Sequence, residues 1–218
     1  MTGVILAGIS GAGKTTVHQA VTASLAAAGC QTLVSIPQAM TTTAHLHLAD
    51  RPARQADEVV AWLEEMTAFA GGLTARARDG GLTAHREAAR WTPAFVLEGF
   101  VYDIPLHDLA ISRDRVAPVE RRLAGLGFTL VLLTVPPGRI QEQCVASTRE
   151  HRGPGWAAHL DRLAATDAGR ADVLAAAQRR LLSWAATSPL PVTGIDTSDR
   201  DWARVSAAVT RIIRGPGP

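Results

Sequence analysis

The sequence predicts an α/β fold with a parallel sheet at its centre and helices on both faces. Three observations carry this expectation. Short, almost continuously apolar runs recur along the chain, as in Val4-Ile5-Leu6-Ala7 and residues 128–135, and such runs mark strands buried on both faces. Stretches of helical periodicity separate them. The first run passes through a glycine-rich turn straight into a helical stretch.

The elements follow in order from their residues. Residues 4–7 form the first strand and 15–28 the first helix, which Gly29 is placed to end. A second strand over 31–36 is stopped by Pro37. The polar stretch 38–54, with Thr41, Thr42, Thr43, His45, His47, Asp50 and Arg51, predicts a loop with a short helical turn. Over 55–79, Val59, Val60, Leu63, Met66, Phe69 and Leu73 recur at helical spacing, while Asp57, Glu58, Glu64 and Glu65 lie elsewhere on the wheel. Trp62 and Phe69 are expected in the core. A helix over 82–90 leads to Pro93, and 94–98 is a buried strand ending in the carboxylate of Glu98. Residues 100–115 read as irregular, 116–125 as a helix and 128–135 as the fourth strand. Pro137 and Gly138 open a helix reaching Arg149, which His151-Arg152-Gly153-Pro154-Gly155 breaks. An alanine-rich helix over 170–186, a strand over 191–196 and a helix over 201–213 complete a single domain spanning 1–214, with 215–218 as a flexible tail.

Composition narrows the function. At 218 residues and 47% hydrophobic, the chain suits one compact domain. A formal charge of +2 makes no case for nucleic acid. No apolar run approaches the roughly 18 residues of a membrane span, and no signal peptide is expected. Cys30 and Cys144 are isolated thiols without metal spacing, which fits a reducing cytoplasm. His45 and His47 lack an evident Cys or carboxylate partner, so no metal site is expected there.

The chain holds one lysine among its 22 basic residues, and it lies in Gly8-Ile9-Ser10-Gly11-Ala12-Gly13-Lys14-Thr15. This matches the phosphate-binding pattern G-x-x-x-x-G-K-[ST]. A compact ammonium enters a tight backbone cradle that a planar guanidinium cannot. Backbone N–H groups from Gly8, Ser10, Gly11, Ala12 and Gly13 are expected to converge on an anion, helped by the positive end of the following helix. Lys14 would reach the β- and γ-phosphates, Thr15 would hold Mg²⁺, and Thr16 would add a hydroxyl at the α-phosphate.

A phosphate loop names a nucleotide rather than an activity. The Asn-Lys-x-Asp guanine reader is absent in its usual form, because the only lysine is already used. No Leu-Ser-Gly-Gly-Gln-like transporter signature occurs. After the fourth strand, Val135-Pro136-Pro137-Gly138 precedes a helix, then Arg149-Glu150-His151-Arg152-Gly153-Pro154-Gly155-Trp156, and Ile195-Asp196-Thr197-Ser198 ends the last strand. In these segments and the phosphate loop the chain resembles the P-loop small-molecule kinases of the nucleoside/nucleotide, thymidylate kinase-like group. The resemblance spans most of the chain in layout, and only the phosphate loop is specific at residue level. It implies a three-layer P-loop NTPase fold, a small mobile lid over about 149–170, and ATP with Mg²⁺.

Within that resemblance, Arg149 and Arg152 at the helix end would swing onto the phosphates, where positioned cations stabilise the charge of phosphoryl transfer. Glu98 would act as base or as magnesium support, with Asp103 a second candidate for the base. The related kinases commonly continue this strand end with an arginine, whereas this chain reads Glu98-Gly99-Phe100. Gln38, Thr41, Thr42, His45 and Arg51 lie where the acceptor would bind, at strand carboxyl ends. Mainly Arg51 and Arg54 offer cations on that side, which tilts the expectation slightly towards a hydroxyl on a nucleoside-like or sugar-containing compound, antibiotics included. A nucleoside monophosphate kinase and a nucleotide-hydrolysing regulator are the alternatives. The expected partner is a small-molecule substrate, with room for a homodimer but no role for nucleic acid or membrane.

Overall fold

A computed structural model describes residues 3–215. Its sheet has five parallel strands in the order β2-β3-β1-β4-β5, with β1 Gly3–Ala7, β2 Leu33–Ile36, β3 Ala94–Glu98, β4 Thr129–Thr134 and β5 Val192–Asp196. The helices are α1 Lys14–Ala27, α2 Pro52–Asp79, α3 Ala88–Trp91, α4 Asp103–Leu106, α5 Arg113–Gly125, α6 Ser147–His151, α7 Pro154–Leu163, α8 Asp167–Ala185 and α9 Trp202–Arg214. The outcome is a three-layer α/β fold. Of the expected tail, 216–218 lie outside the described residues, and Gly215 directly follows α9.

The two-residue period of the strands divides the core between the two sheet faces. Val4 and Leu6 of β1 join Val17, Val21 and Leu25 of α1 and Val205 and Val209 of α9. Ile5 and Ala7 join Val59 and Leu63 of α2 and Val116 and Leu123 of α5. Adjacent strands β1 and β3 therefore send their chains to opposite faces, β1 into α1 and β3 towards α5. Loops diverge at such a switch point, and a crevice opens at the carboxyl ends of the strands.

Several expectations are corrected. Phe69 lies at the flank of α2 beside Met66 and the edge strand β2, and it is 49% exposed rather than core. Trp62 is half-buried against Phe100. The helix expected over 82–90 breaks at His85, whose ψ of 149° is extended, leaving only a 3₁₀ turn and the short α3. The helix expected from Pro137 to Arg149 is a 3₁₀ turn, then a π-helix over Gln141–Ala146, then α6. Helix α7 was not anticipated. No helix among the described residues is long and apolar enough to cross a membrane.

Candidate functional site

The segment 8–13 turns from β1 into α1 with Gly11 and Gly13 at φ of +84° and +89°, the left-handed region open to glycine. A Cβ on Gly13 would also stand 2.2 Å from the Trp202 ring, so the loop lies directly against the start of α9. At Gly11 a Cβ would meet the Cys144 backbone in the π-helix at 2.6 Å. Ala12 is fully buried and donates its N–H to Ile9 O at 3.2 Å. No side chain caps α1 and its first turn carries no acidic residue, which leaves the first N–H groups and the positive helix end for an anion.

Lys14 is 6% exposed and donates through Nζ to Gly8 O at 2.8 Å and to Ile9 O at 3.2 Å. An ammonium has three protons, so one remains beyond these two bonds. Burial pushes its pKa down, while the charges of Glu98 and Asp103 pull it back up. Thr15 Oγ1 donates to Glu98 Oε1 at 2.9 Å, and Glu98 is itself buried at the end of β3. The parallel register sets this meeting, because Leu6 pairs with Glu98 and the glycine-rich loop leaves β1 just beyond it. Thr16 is exposed in the first turn of α1. Ser10 Oγ is shielded from solvent and has no hydrogen-bond partner among the described residues.

Beyond Glu98, Gln38 connects two carboxylates. Its backbone N–H donates to Glu98 Oε2 at 3.4 Å and its Nε2 donates to Asp103 Oδ1 at 2.8 Å. Thr41 Oγ1 lies within hydrogen-bond distance of Gln38 O, Glu98 O and Asp103 Oδ2. Gly99 makes this packing feasible, since a Cβ there would sit 2.2 Å from Asp103 Oδ2. This also gives a physical reason for the missing arginine after Glu98. Burial raises the Asp103 pKa to about 7 against the pull of Lys14, Gln38 and Thr41.

The remaining residues expected to bind substrate divide. Thr42 is buried and donates to Phe100 O at 2.7 Å. His45 packs against Trp62 with ring centroids 6.3 Å apart. Arg51 lies at the surface, 3.5 Å from Asp50. The two arginines expected in a lid also differ. Arg149 pairs with Asp161 and Asp167, the same carboxylates that hold the buried Arg170. Arg152 stacks over Trp156 at 4.4 Å, and its charge lies near enough to Lys14 to disfavour the ammonium.

The fold is shared with a solved structure, the YorR protein of Bacillus subtilis in complex with phosphorylated GDP. The two match with a TM-score of 0.57 at 11% sequence identity, over 98% of this chain and 96% of that one. The likeness is one of fold. No protein-family model matches the chain, and no curated protein matches it in sequence.

Sequence reasoning missed three neighbours of the site: Trp202 against Gly13, Cys144 against Gly11, and His107, on which the Lys14 charge acts. The first two gave no sequence signal, because glycine contacts carry none. His107 follows Asp103 by one turn of α4, a helix that the irregular reading of 100–115 did not expect.

Proposed function

We propose that this chain is an ATP- and Mg²⁺-dependent phosphotransferase that moves the γ-phosphoryl group to a hydroxyl of a small nucleoside-like or sugar-containing molecule. The observation that carries the reading is the Lys14–Thr15–Glu98 assembly. A lysine inside a backbone cradle stands beside a hydroxyl already bonded to a buried carboxylate. The YorR likeness supports it as a fold known to accommodate a phosphorylated nucleotide.

The residues fit the groups this reading requires. Thr15 and Glu98 supply oxygen donors suited to a hard cation, and magnesium commonly takes one or two carboxylates together with substrate phosphates. When bound, Mg²⁺ neutralises charge on the phosphates. Lys14 and the free N–H groups of α1 bind and orient the phosphate chain. Glu98 Oε2 is the group to take a hydroxyl proton, since it accepts only a long bond of 3.4 Å from the Gln38 N–H, whereas Asp103 is held by Gln38 at 2.8 Å and by Thr41 at 3.3 Å. Arg152 supplies mobile positive charge from the lid. A hydroxyl acceptor is favoured over a phosphate because Arg51 and Arg54 already pair with Asp50 and Glu58 at the surface.

The test incubates the protein with Mg-ATP and a panel of nucleosides, nucleoside monophosphates, aminoglycosides and nucleoside antibiotics, then looks for a mass gain of one phosphoryl group. Phosphorylation of a hydroxyl compound is the expected result. ATP turnover indifferent to every acceptor would favour a hydrolysing regulator, and preference for monophosphates would favour a nucleotide kinase.

A further inference from the structure

The backbone leaving β3 takes an uncommon path. Gly99 stands at φ +77° and Phe100 at φ +54°. The first conformation suits glycine, whereas a bulky aromatic residue in the left-handed region is strained. Phe100 is also fully buried, with its ring centroid 5.6 Å from that of Trp62, so the ring is anchored in the core. Backbone strain of this kind persists only where the surroundings over-determine it.

Those surroundings are specific. Thr42 Oγ1 donates to Phe100 O at 2.7 Å, and its neighbour Thr41 places Oγ1 3.1 Å from Glu98 O. The Tyr102 N–H donates to Gly99 O at 3.1 Å. The carbonyls of Glu98, Gly99 and Phe100 thus each face a donor, and the segment after β2 supplies two of the three. Further along, Tyr102 Oη and Ser188 Oγ lie 2.7 Å apart, which ties the turn to the chain just beyond α8. The turn decides where two carboxylates lie. Before it, Glu98 accepts from Thr15 at 2.9 Å. After it, Asp103 comes back over Gly99 and accepts from Gln38 at 2.8 Å. An extended Phe100 would carry Asp103 away from Gly99 and Gln38. Thr42 itself is fully buried and gives its one hydroxyl proton to Phe100 O, so it is not presented to a substrate.

We propose that Thr42 is a positioning residue for Glu98: its hydroxyl holds Phe100 in the left-handed conformation, and that turn keeps the Glu98 carboxylate at Thr15. The expected contact between Thr42 and the acceptor gives way to a role carried through the backbone. The catalytic consequence rests on the phosphotransfer reading above, and the positional one does not.

Thr42→Val keeps the shape of the side chain and removes the hydroxyl, while Thr42→Ser keeps the hydroxyl. With Mg-ATP and the panel of nucleosides, monophosphates and antibiotics named above, Thr42→Val should lower kcat roughly 10- to 10²-fold, as a reacting group misplaced by about an ångström does. The KM values for ATP and acceptor should stay unchanged, and Thr42→Ser should retain most of the wild-type kcat. In a Glu98→Gln background Thr42→Val should lower kcat no further, because residues acting as one unit are not additive. A merely structural role would add its own loss. An additive loss, a raised acceptor KM at unchanged kcat, or a serine variant as slow as the valine one overturns the assignment. If Thr42→Val does not fold, Thr42→Ala replaces it in every measurement. If no acceptor is phosphorylated, crystal structures of wild type and Thr42→Val give the answer. Phe100 moving to negative φ, with Thr15 and Glu98 drawn beyond hydrogen-bond distance, upholds the positioning role while the phosphotransfer reading fails; an unchanged turn and bond overturn the inference itself.

Discussion

Thr15 Oγ1 donates to Glu98 Oε1 at 2.9 Å, joining residues 83 positions apart at the first turn of α1 and the end of β3. The bond places a hydroxyl and a carboxylate side by side at the switch point of the sheet. Removing the acid while keeping the shape isolates its role. Glu98→Gln still accepts from Thr15, so nucleotide binding should persist while turnover falls roughly 10²-fold or more. Calorimetric ATP binding and steady-state kinetics check this, and unchanged turnover would remove Glu98 from the chemistry.

Lys14→Ala should lower phosphoryl transfer by roughly 10²–10³-fold, the usual cost of losing one preorganised donor to transition-state charge. The fold should survive, because burial already disfavours this ammonium. A circular-dichroism melt beside the activity assay separates the two effects. Near-normal activity would show that the loop does not hold the transferred phosphate.

Arg149 and Arg152 should part company. Arg149 is tied to Asp161 and Asp167, so Arg149→Ala should lower the melting temperature by loosening α6, α7 and α8. Arg152 is stacked on Trp156 and tied to no carboxylate among the described residues, so Arg152→Ala should leave melting unchanged and cut turnover by about tenfold or more. The opposite pattern would reverse their roles.

Glycine substitutions offer a test of packing. Gly99→Ala puts a Cβ 2.2 Å from Asp103 at φ +77°, whereas Gly29→Ala, at φ +84°, meets nothing within 4 Å among the described residues. Strain and overpacking together should cost about 3 kcal/mol at Gly99, against about 1 kcal/mol of backbone strain at Gly29. Urea unfolding of the two variants measures the gap, and equal costs would mean that Asp103 yields freely.

Asp103 and His107 should give opposing pH dependences. Asp103 binds its proton more tightly folded, at about 7, than at its ordinary 3.8, so its contribution to stability is full below about pH 4 and is lost as pH rises through 7. His107, lowered to about 4 from 6.5, contributes fully above 6.5 and loses that contribution as pH falls through 4. Between pH 4 and 6.5 the two largely cancel. Asp103→Asn should therefore become more stable with rising pH over that window, and His107→Gln less stable. Urea midpoints at pH 4.5 and 6.5 read the slopes, and matching slopes in both variants would refute the account.

Much of the fold was legible because its signals are local. Each buried strand announces itself by a run of apolar residues, and the glycine-rich turn after β1 by eight consecutive positions. Helix α7 escaped because Gly153-Pro154-Gly155 reads as a breaker, although proline at the first helical position starts a helix as readily as it stops one. Phe69 fits the helical period, yet its neighbour is an edge strand that covers it only partly.

The sequence by itself determined the layered sheet and the glycine turn from β1 into α1, since strand burial and the turn at Gly13 depend on neighbours in the chain. Tertiary structure alone decided that Thr15 meets Glu98, that Arg149 is committed to Asp161 while Arg152 is not, and that His107 stands near Lys14. Those choices depend on strand register and helix packing across dozens of residues, and no local propensity encodes the distance between two side chains that only the folded sheet brings together.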